Sequence, residues 1–119
     1  MKFIDVTLRD GGHQNGFSWP LEFIERYLHS INSFQDIDFV ELGYWKQTGK
    51  FDGPFYSIDE QLLATVCQMS NKKLSVMVDY HYCSHDVENY PSNANFPELG
   101  LIRVCLRKED IGKGCRFAK

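Results

Sequence analysis

Near the N-terminus the run Thr7-Leu8-Arg9-Asp10-Gly11-Gly12-His13 gathers a guanidinium, a carboxylate and an imidazole around two glycines. Each group has a distinct chemical use. The planar donor fork of Arg9 suits a carboxylate or an enolate oxygen. Asp10 offers hard oxygen ligation to a divalent ion. His13 carries a group that titrates near neutrality and suits general acid–base work. Gly11 and Gly12 let the backbone turn sharply and approach a ligand closely. As bare chemistry the same run would also fit a surface turn in which the neighbours Arg9 and Asp10 form an ion pair.

The elements that must position these groups follow from periodicity. Four short segments rich in β-branched residues recur: Phe3–Arg9, Phe39–Tyr44, Leu74–Tyr80 and Leu101–Arg107. Between the first two, Leu21, Ile24, Tyr27, Leu28 and Ile31 fall at helical spacing, which predicts a helix over Leu21–Phe34. Ser18 is placed to cap it and Pro20 suits its first turn. Between the second and third, Ile58, Leu62, Val66 and Met69 predict a helix over Ser57–Ser70, with Ser57 and Glu60 spaced as a capping box. Alternating strands and helices of this kind build βαβ units and a parallel sheet. The stretch His81–Gly100, with Pro91, Pro97 and several Asn and Ser residues, reads as a long irregular loop with one short helix near Asp86–Tyr90. The chain then breaks off in Lys108–Lys119, the opening turns of a further helix. That ending reads as a barrel domain cut before it closes, because nothing follows to cover the last strand. A naturally short chain with a frayed tail is the alternative.

Alternation within the strands separates two faces. Asp5, Thr7 and Arg9 share one face of the first; Phe39, Glu41 and Gly43 share one face of the second. Ser75, Met77 and Asp79 do so in the third, and Arg103, Cys105 and Arg107 in the fourth. The opposite faces are aliphatic. A doubly wound sheet wants both faces apolar, whereas a barrel has helices outside and permits a polar interior near its catalytic end. The pattern therefore favours a partial (β/α)₈ barrel, its first four strands parallel and helices on the outer face. An open sheet with one solvated face would show similar alternation. Interior acids Asp5, Glu41 and Asp79 must pair with Arg9, Arg103 and Arg107 or serve function, since an unpaired buried charge is costly.

Composition excludes several classes. Across 119 residues the net charge is −3 and the basic residues are scattered, which leaves no footprint for nucleic acid. No apolar run approaches the ~20 residues of a membrane span, and Asp5, Arg9 and Asp10 interrupt any leader-like segment. Cys67, Cys83, Cys105 and Cys115 contain no C-x-x-C pair and read as free thiols of a cytoplasmic protein. Phe17, Trp19, Trp45 and Phe51 read as core packing near strand ends, and Lys46–Tyr56 as an ordinary rim loop.

The run Asp5-Val6-Thr7-Leu8-Arg9-Asp10-Gly11-Gly12 resembles the opening signature of the DRE-TIM metallolyase superfamily. That group includes 3-hydroxy-3-methylglutaryl-CoA lyase, isopropylmalate and homocitrate synthases, transcarboxylase domains and 4-hydroxy-2-oxovalerate aldolase. The paired glycines, with His13 three residues beyond Asp10, are most similar to the aldolase branch. Val40-Glu41-Leu42-Gly43-Tyr44 resembles the second strand of the same group. The resemblance implies the N-terminal half of a lyase that makes or breaks a C–C bond beside a 2-keto acid. Arg9 would then stabilise an enolate oxygen, His13 would shuttle the proton of the substrate hydroxyl, and Asp10 would be one ligand of Mn²⁺ or Mg²⁺. Glu41, Asp79 and Arg103 are candidates to line the substrate site, Glu41 being equally suited to an interior ion pair with Arg103. The superfamily draws further metal ligands from a His-x-His pair, which this sequence lacks. His81 and His85 lie in the loop after the third strand, where the superfamily places no ligands. The implied metal site is thus incomplete in this chain, which alone is expected to be inactive. Open edges on the first and fourth strands lead to an expectation of self-association. An acyl- or carboxyl-transfer synthase of the same superfamily, or a non-catalytic half barrel serving as an assembly module, are the alternatives.

Overall fold

The computed structural model describes all 119 residues, Met1 to Lys119. Strand β1 (Ile4–Asp5) leads directly into helix α1 (Thr7–Asn15), and α2 (Leu21–Ile31) follows. Then come β2 (Phe39–Tyr44), α3 (Glu60–Cys67), β3 (Lys73–Asp79), β4 (Leu99–Cys105) and the terminal α4 (Ile111–Phe117). The four strands form one parallel sheet in the order β1-β2-β3-β4. A doubly wound sheet reverses its strand order at a switch point; this one does not, and it has the progression of a barrel's opening strands.

One aliphatic core joins the sheet to its helices. Val40 and Leu42 of β2 and Leu74, Val76 and Val78 of β3 are fully buried with Ile24 and Leu28 of α2 and Leu63 and Val66 of α3. These helix positions sit three or four apart, so each helix buries one stripe and leaves its polar side to water. Burying such a side chain stabilises by roughly 1.5–3 kcal/mol. No helix is long and apolar enough to cross a membrane.

Several local expectations are corrected. The first strand was expected to run to Arg9, but pairing ends after Ile4↔Phe39 and Asp5↔Val40. The Asp5 carboxylate accepts the Thr7 N–H at 3.1 Å and the Thr7 hydroxyl at 3.3 Å, which turns the chain. Asp10 N–H then donates to the Val6 carbonyl at 2.9 Å and the first helical turn closes. The β-branched pair Val6-Thr7 suggested strand; a local side-chain acceptor decided otherwise. Ser18 caps nothing: the extended residue before α2 is Pro20, at φ −62° and ψ 138°. The Ser57/Glu60 box does not form either. Asp59 caps α3, its Oδ1 accepting the Leu62 N–H at 2.9 Å, while Glu60 reaches Lys46 at 2.7 Å.

The connection between β3 and β4 is irregular apart from a short 3₁₀ turn, Val87–Asn89, within the expected place. It is held by local and long-range bonds: Tyr90 Oη donates to the Ser84 carbonyl at 2.6 Å, and Trp45 Nε1, just after β2, to the Asn89 carbonyl at 2.8 Å. No helix stands here, so Ile102 and Val104 of β4 are only partly buried, with Tyr90 and Phe117 beside them.

Candidate functional site

Because Thr7–Asn15 is helical, Leu8 and Gly12 turn together into the core, and Arg9 and His13 fall one turn apart on the adjoining face. Along a strand the two would share a face but stand roughly 13 Å apart. Gly12 is required by packing, since a Cβ there would collide with the Phe17 ring. Trp19 lies against Gly11 and donates from Nε1 to the Leu8 carbonyl at 3.1 Å. The helix ends at Gly16, which is left-handed at φ 66°.

Arg9 reaches the middle of the sheet. Its Nε donates to Oε1 of Glu41 on β2 at 3.0 Å, and its Nη1 pairs with Asp10. Glu41 has no exposed surface; its other oxygen accepts from Ser75 Oγ at 3.3 Å and faces Arg103 Nε at 3.5 Å. A buried carboxylate without such partners would cost several kcal/mol. Two guanidiniums and a hydroxyl remove that penalty, and in return Glu41 and Asp10 hold the Arg9 fork in one orientation.

The loop after β2 clasps the end of α1. Gly53 N–H donates to the Gly16 carbonyl at 3.1 Å, Phe55 N–H to the Phe17 carbonyl at 3.2 Å, and Tyr44 N–H to the Phe55 carbonyl at 2.9 Å. A Cβ on Gly53 would fall inside the backbone of Gly16 and Phe17. Phe55 and Tyr56 are buried, and Phe17, buried at φ 61°, meets Tyr44 edge-on and Phe51 and Tyr56 at a tilt. The later part of this loop, Gly53, Phe55 and Tyr56, is therefore built into the core, while Thr48–Lys50 stays exposed and Lys50 and Phe51 stand at the rim.

Above the strand ends lies a cavity of about 240 Å³. His13, Lys50, Phe51 and Tyr56 form one part of its wall; Tyr44, Asp79, Tyr82 and Arg107 supply the rest. The His13 ring meets Phe17 and Phe51 edge-on, at centroid distances of 5.1 and 5.7 Å. Partial desolvation by these rings, then the charges of Lys50 and Arg9, hold the imidazole below its ordinary pKa, against a smaller opposing pull from Asp10. At neutral pH it stands ready to accept a proton. Burial raises the Tyr44 and Tyr56 phenols, which stay protonated as donors. Arg107 lies over the Tyr82 ring at 5.6 Å and donates to its hydroxyl at 3.4 Å.

The expected residues thus divide into two adjacent groups. Arg9, Asp10, Glu41 and Arg103 form the ionic chain across the sheet; His13 and Asp79 face the cavity. Asp5 stays outside both, accepting from Tyr27 Oη at 2.6 Å, and that phenol is pushed up to about 12 by burial and by its bond to the carboxylate. Arg107 lies beyond the end of β4, at the rim. Lys50, Tyr44, Tyr56 and Ser75 were not singled out from sequence. Ser75 shared the polar face with Glu41 and could have been; Lys50 had no such signal, because only the clasp brings it to His13.

The donors present do not make a divalent-metal site. Asp10 is exposed and engaged by Arg9, and no three His, Cys, Asp or Glu side chains converge anywhere in the chain. All four cysteines are free thiols. His85 stacks on Tyr80 at 4.2 Å and contacts its carbonyl at 2.8 Å, which accounts for it as a loop residue.

No protein-family model and no curated protein matches the sequence. Among solved structures, the chain superposes on the N-terminal domain of a "putative aldolase" from Bacteroides vulgatus, with a TM-score of 0.83 and 24% identity. The match covers 99% of this chain and 40% of that one. The two share a fold: four parallel strands with helices, as in that aldolase N-terminal domain. This chain spans well under half the length of its structural counterpart.

Proposed function

We propose that this chain is the N-terminal part of an aldolase-type lyase that makes or breaks a C–C bond beside a 2-keto acid. The observation that carries the reading is Arg9 and His13, one helical turn apart at the C-terminal end of β1, with the Arg9 fork oriented by buried Glu41. In the cleavage direction the neutral His13 imidazole accepts the proton of the substrate's 4-hydroxyl. The C3–C4 bond breaks, its aldehyde half leaves, and the electron pair moves to the 2-keto oxygen. Arg9 faces the enolate oxygen so formed, stabilising charge that develops in the transition state. Protonation at C3 then yields the shorter 2-keto acid.

Asp10 is the one oxygen ligand this chain would lend to Mn²⁺ or Mg²⁺; the others would come from outside it, so the chain alone is expected to show little turnover. In the full-length protein, we expect Arg9→Ala to abolish deuterium exchange at the pyruvate methyl group, followed by NMR, and His13→Ala to abolish cleavage of 4-hydroxy-2-oxo acids. A full-length protein that shows neither exchange nor cleavage would favour a non-catalytic module, and activity that survives Arg9→Ala would remove Arg9 from the reaction. The outer edges of β1 and β4 are unpaired. We propose that copies of this chain associate there; light scattering should find more than a monomer, and a clean monomer at high concentration would contradict it.

A further inference from the structure

We propose that the cavity beyond His13 receives the anionic tail, a carboxylate or a phosphate, of the aldehyde half of the substrate. This rests on the lyase reading and adds the class of its second reactant. The hydroxyl that His13 handles becomes the carbonyl of the aldehyde half, so the rest of that half must extend away from Arg9 and past the imidazole. Arg9 does not line the cavity, whereas His13, one helical turn further along α1, does. What lies past His13 is cationic: Lys50 on the clasp loop and Arg107 beyond β4, against the single acid Asp79. Asp79 is partly spent, its Oδ1 accepting the His81 N–H at 3.0 Å. Lys50 Nζ stands 5.4 Å from the Phe51 ring centre and has no carboxylate partner within ion-pair distance. Arg107 likewise pairs with no carboxylate and is aimed by Tyr82. The Tyr44 and Tyr56 phenols complete a wall that donates to an anion. At about 240 Å³ the space suits a short carbon chain with a charged end.

Binding to the full chain, read from NMR shifts of the His13 ring during titration, tests this without turnover. The probes are alcohols, which cannot condense with Lys50: 4-hydroxybutyrate and glycerol 3-phosphate, against neutral 1,4-butanediol and glycerol. At least one anion should bind about tenfold tighter than its neutral counterpart, a gain typical of a charge-assisted contact. Preference between the two anions identifies the tail. Lys50→Met and Arg107→Met should each weaken that anion by about fivefold or more, while pyruvate binding stays within about twofold. Neutral probes binding equally well, or an anion indifferent to the double variant, would overturn the proposal. So would a double variant that weakens pyruvate as much as the preferred anion, since the cations would then serve the keto acid and the lyase reading would stand. Anion preference in a full-length protein that catalyses no exchange at the pyruvate methyl group would instead remove the lyase reading and leave an anion site.

Discussion

Glu41 has an arginine on either side, and the two sides are built differently. Arg9 comes from a helix clasped by the loop after β2; its side chain is 16% exposed and reaches the carboxylate at 3.0 Å. Arg103 comes from β4, the last strand of the sheet; it is 37% exposed and stands off at 3.5 Å. On the first side the backbone is pinned by Gly53, Phe55 and Tyr44. On the second, Cys105 is exposed and the outer aliphatic residues are half covered. The same charge pairing therefore makes a rigid arm on one side and a compliant one on the other. Rigidity is found where the reading of the site requires a fixed donor fork, in keeping with the value of preorganised groups for catalysis.

Removing the shared acid should have the largest effect. Glu41→Ala leaves both guanidiniums without their central partner and should cost about 3 kcal/mol, measured by urea unfolding. Opening the clasp comes next. Gly53→Ala forces its Cβ into the Gly16 and Phe17 backbone and should cost about 2–3 kcal/mol in the same measurement. The comparison is sharpened by truncating each arginine: Arg9→Met should cost about 2 kcal/mol and Arg103→Met under about 1 kcal/mol. Equal costs would mean that the two sides are energetically alike. The smallest effect is on titration. The His13 pKa is lowered on folding, so protonation favours the unfolded chain. Its contribution to stability is complete above the ordinary imidazole range and is lost as pH falls through the folded-state value. Lys50→Met should raise the His13 pKa, seen by NMR, and shrink that loss.

How far the sequence could be read differs between the same two regions. Strands β2, β3 and β4 were placed within two residues, because their β-branched runs are bounded by helices or loops and hold one face each. The Glu41–Arg103 pair could be expected from alternation alone. The clasped side could not be read so well. Val6 and Thr7 look like strand, yet the strand stops before Val6 and the helix starts at Thr7, where the Asp5 carboxylate accepts from the Thr7 N–H. Gly11-Gly12 look like a loop, yet they lie inside α1, and they are glycines because Trp19 and Phe17 occupy the space a side chain would need. Lys50 comes near His13 only through hydrogen bonds between segments far apart in sequence, which no local pattern records.

The clasp also says where the protein could acquire new substrates. Loops at this end of a barrel ordinarily vary in length. Here Gly53 and Phe55 are tied to Gly16 and Phe17, and Trp45 N–H donates to the Met77 carbonyl at 2.9 Å, so an insertion at either end would break backbone bonds. Free length remains only between them, around Thr48–Asp52, where Gly49 turns at φ 94° with open space about it. That short window carries Lys50 and Phe51. A library confined to it would vary the cavity wall while leaving Arg9, Glu41 and the helix that bears His13 undisturbed.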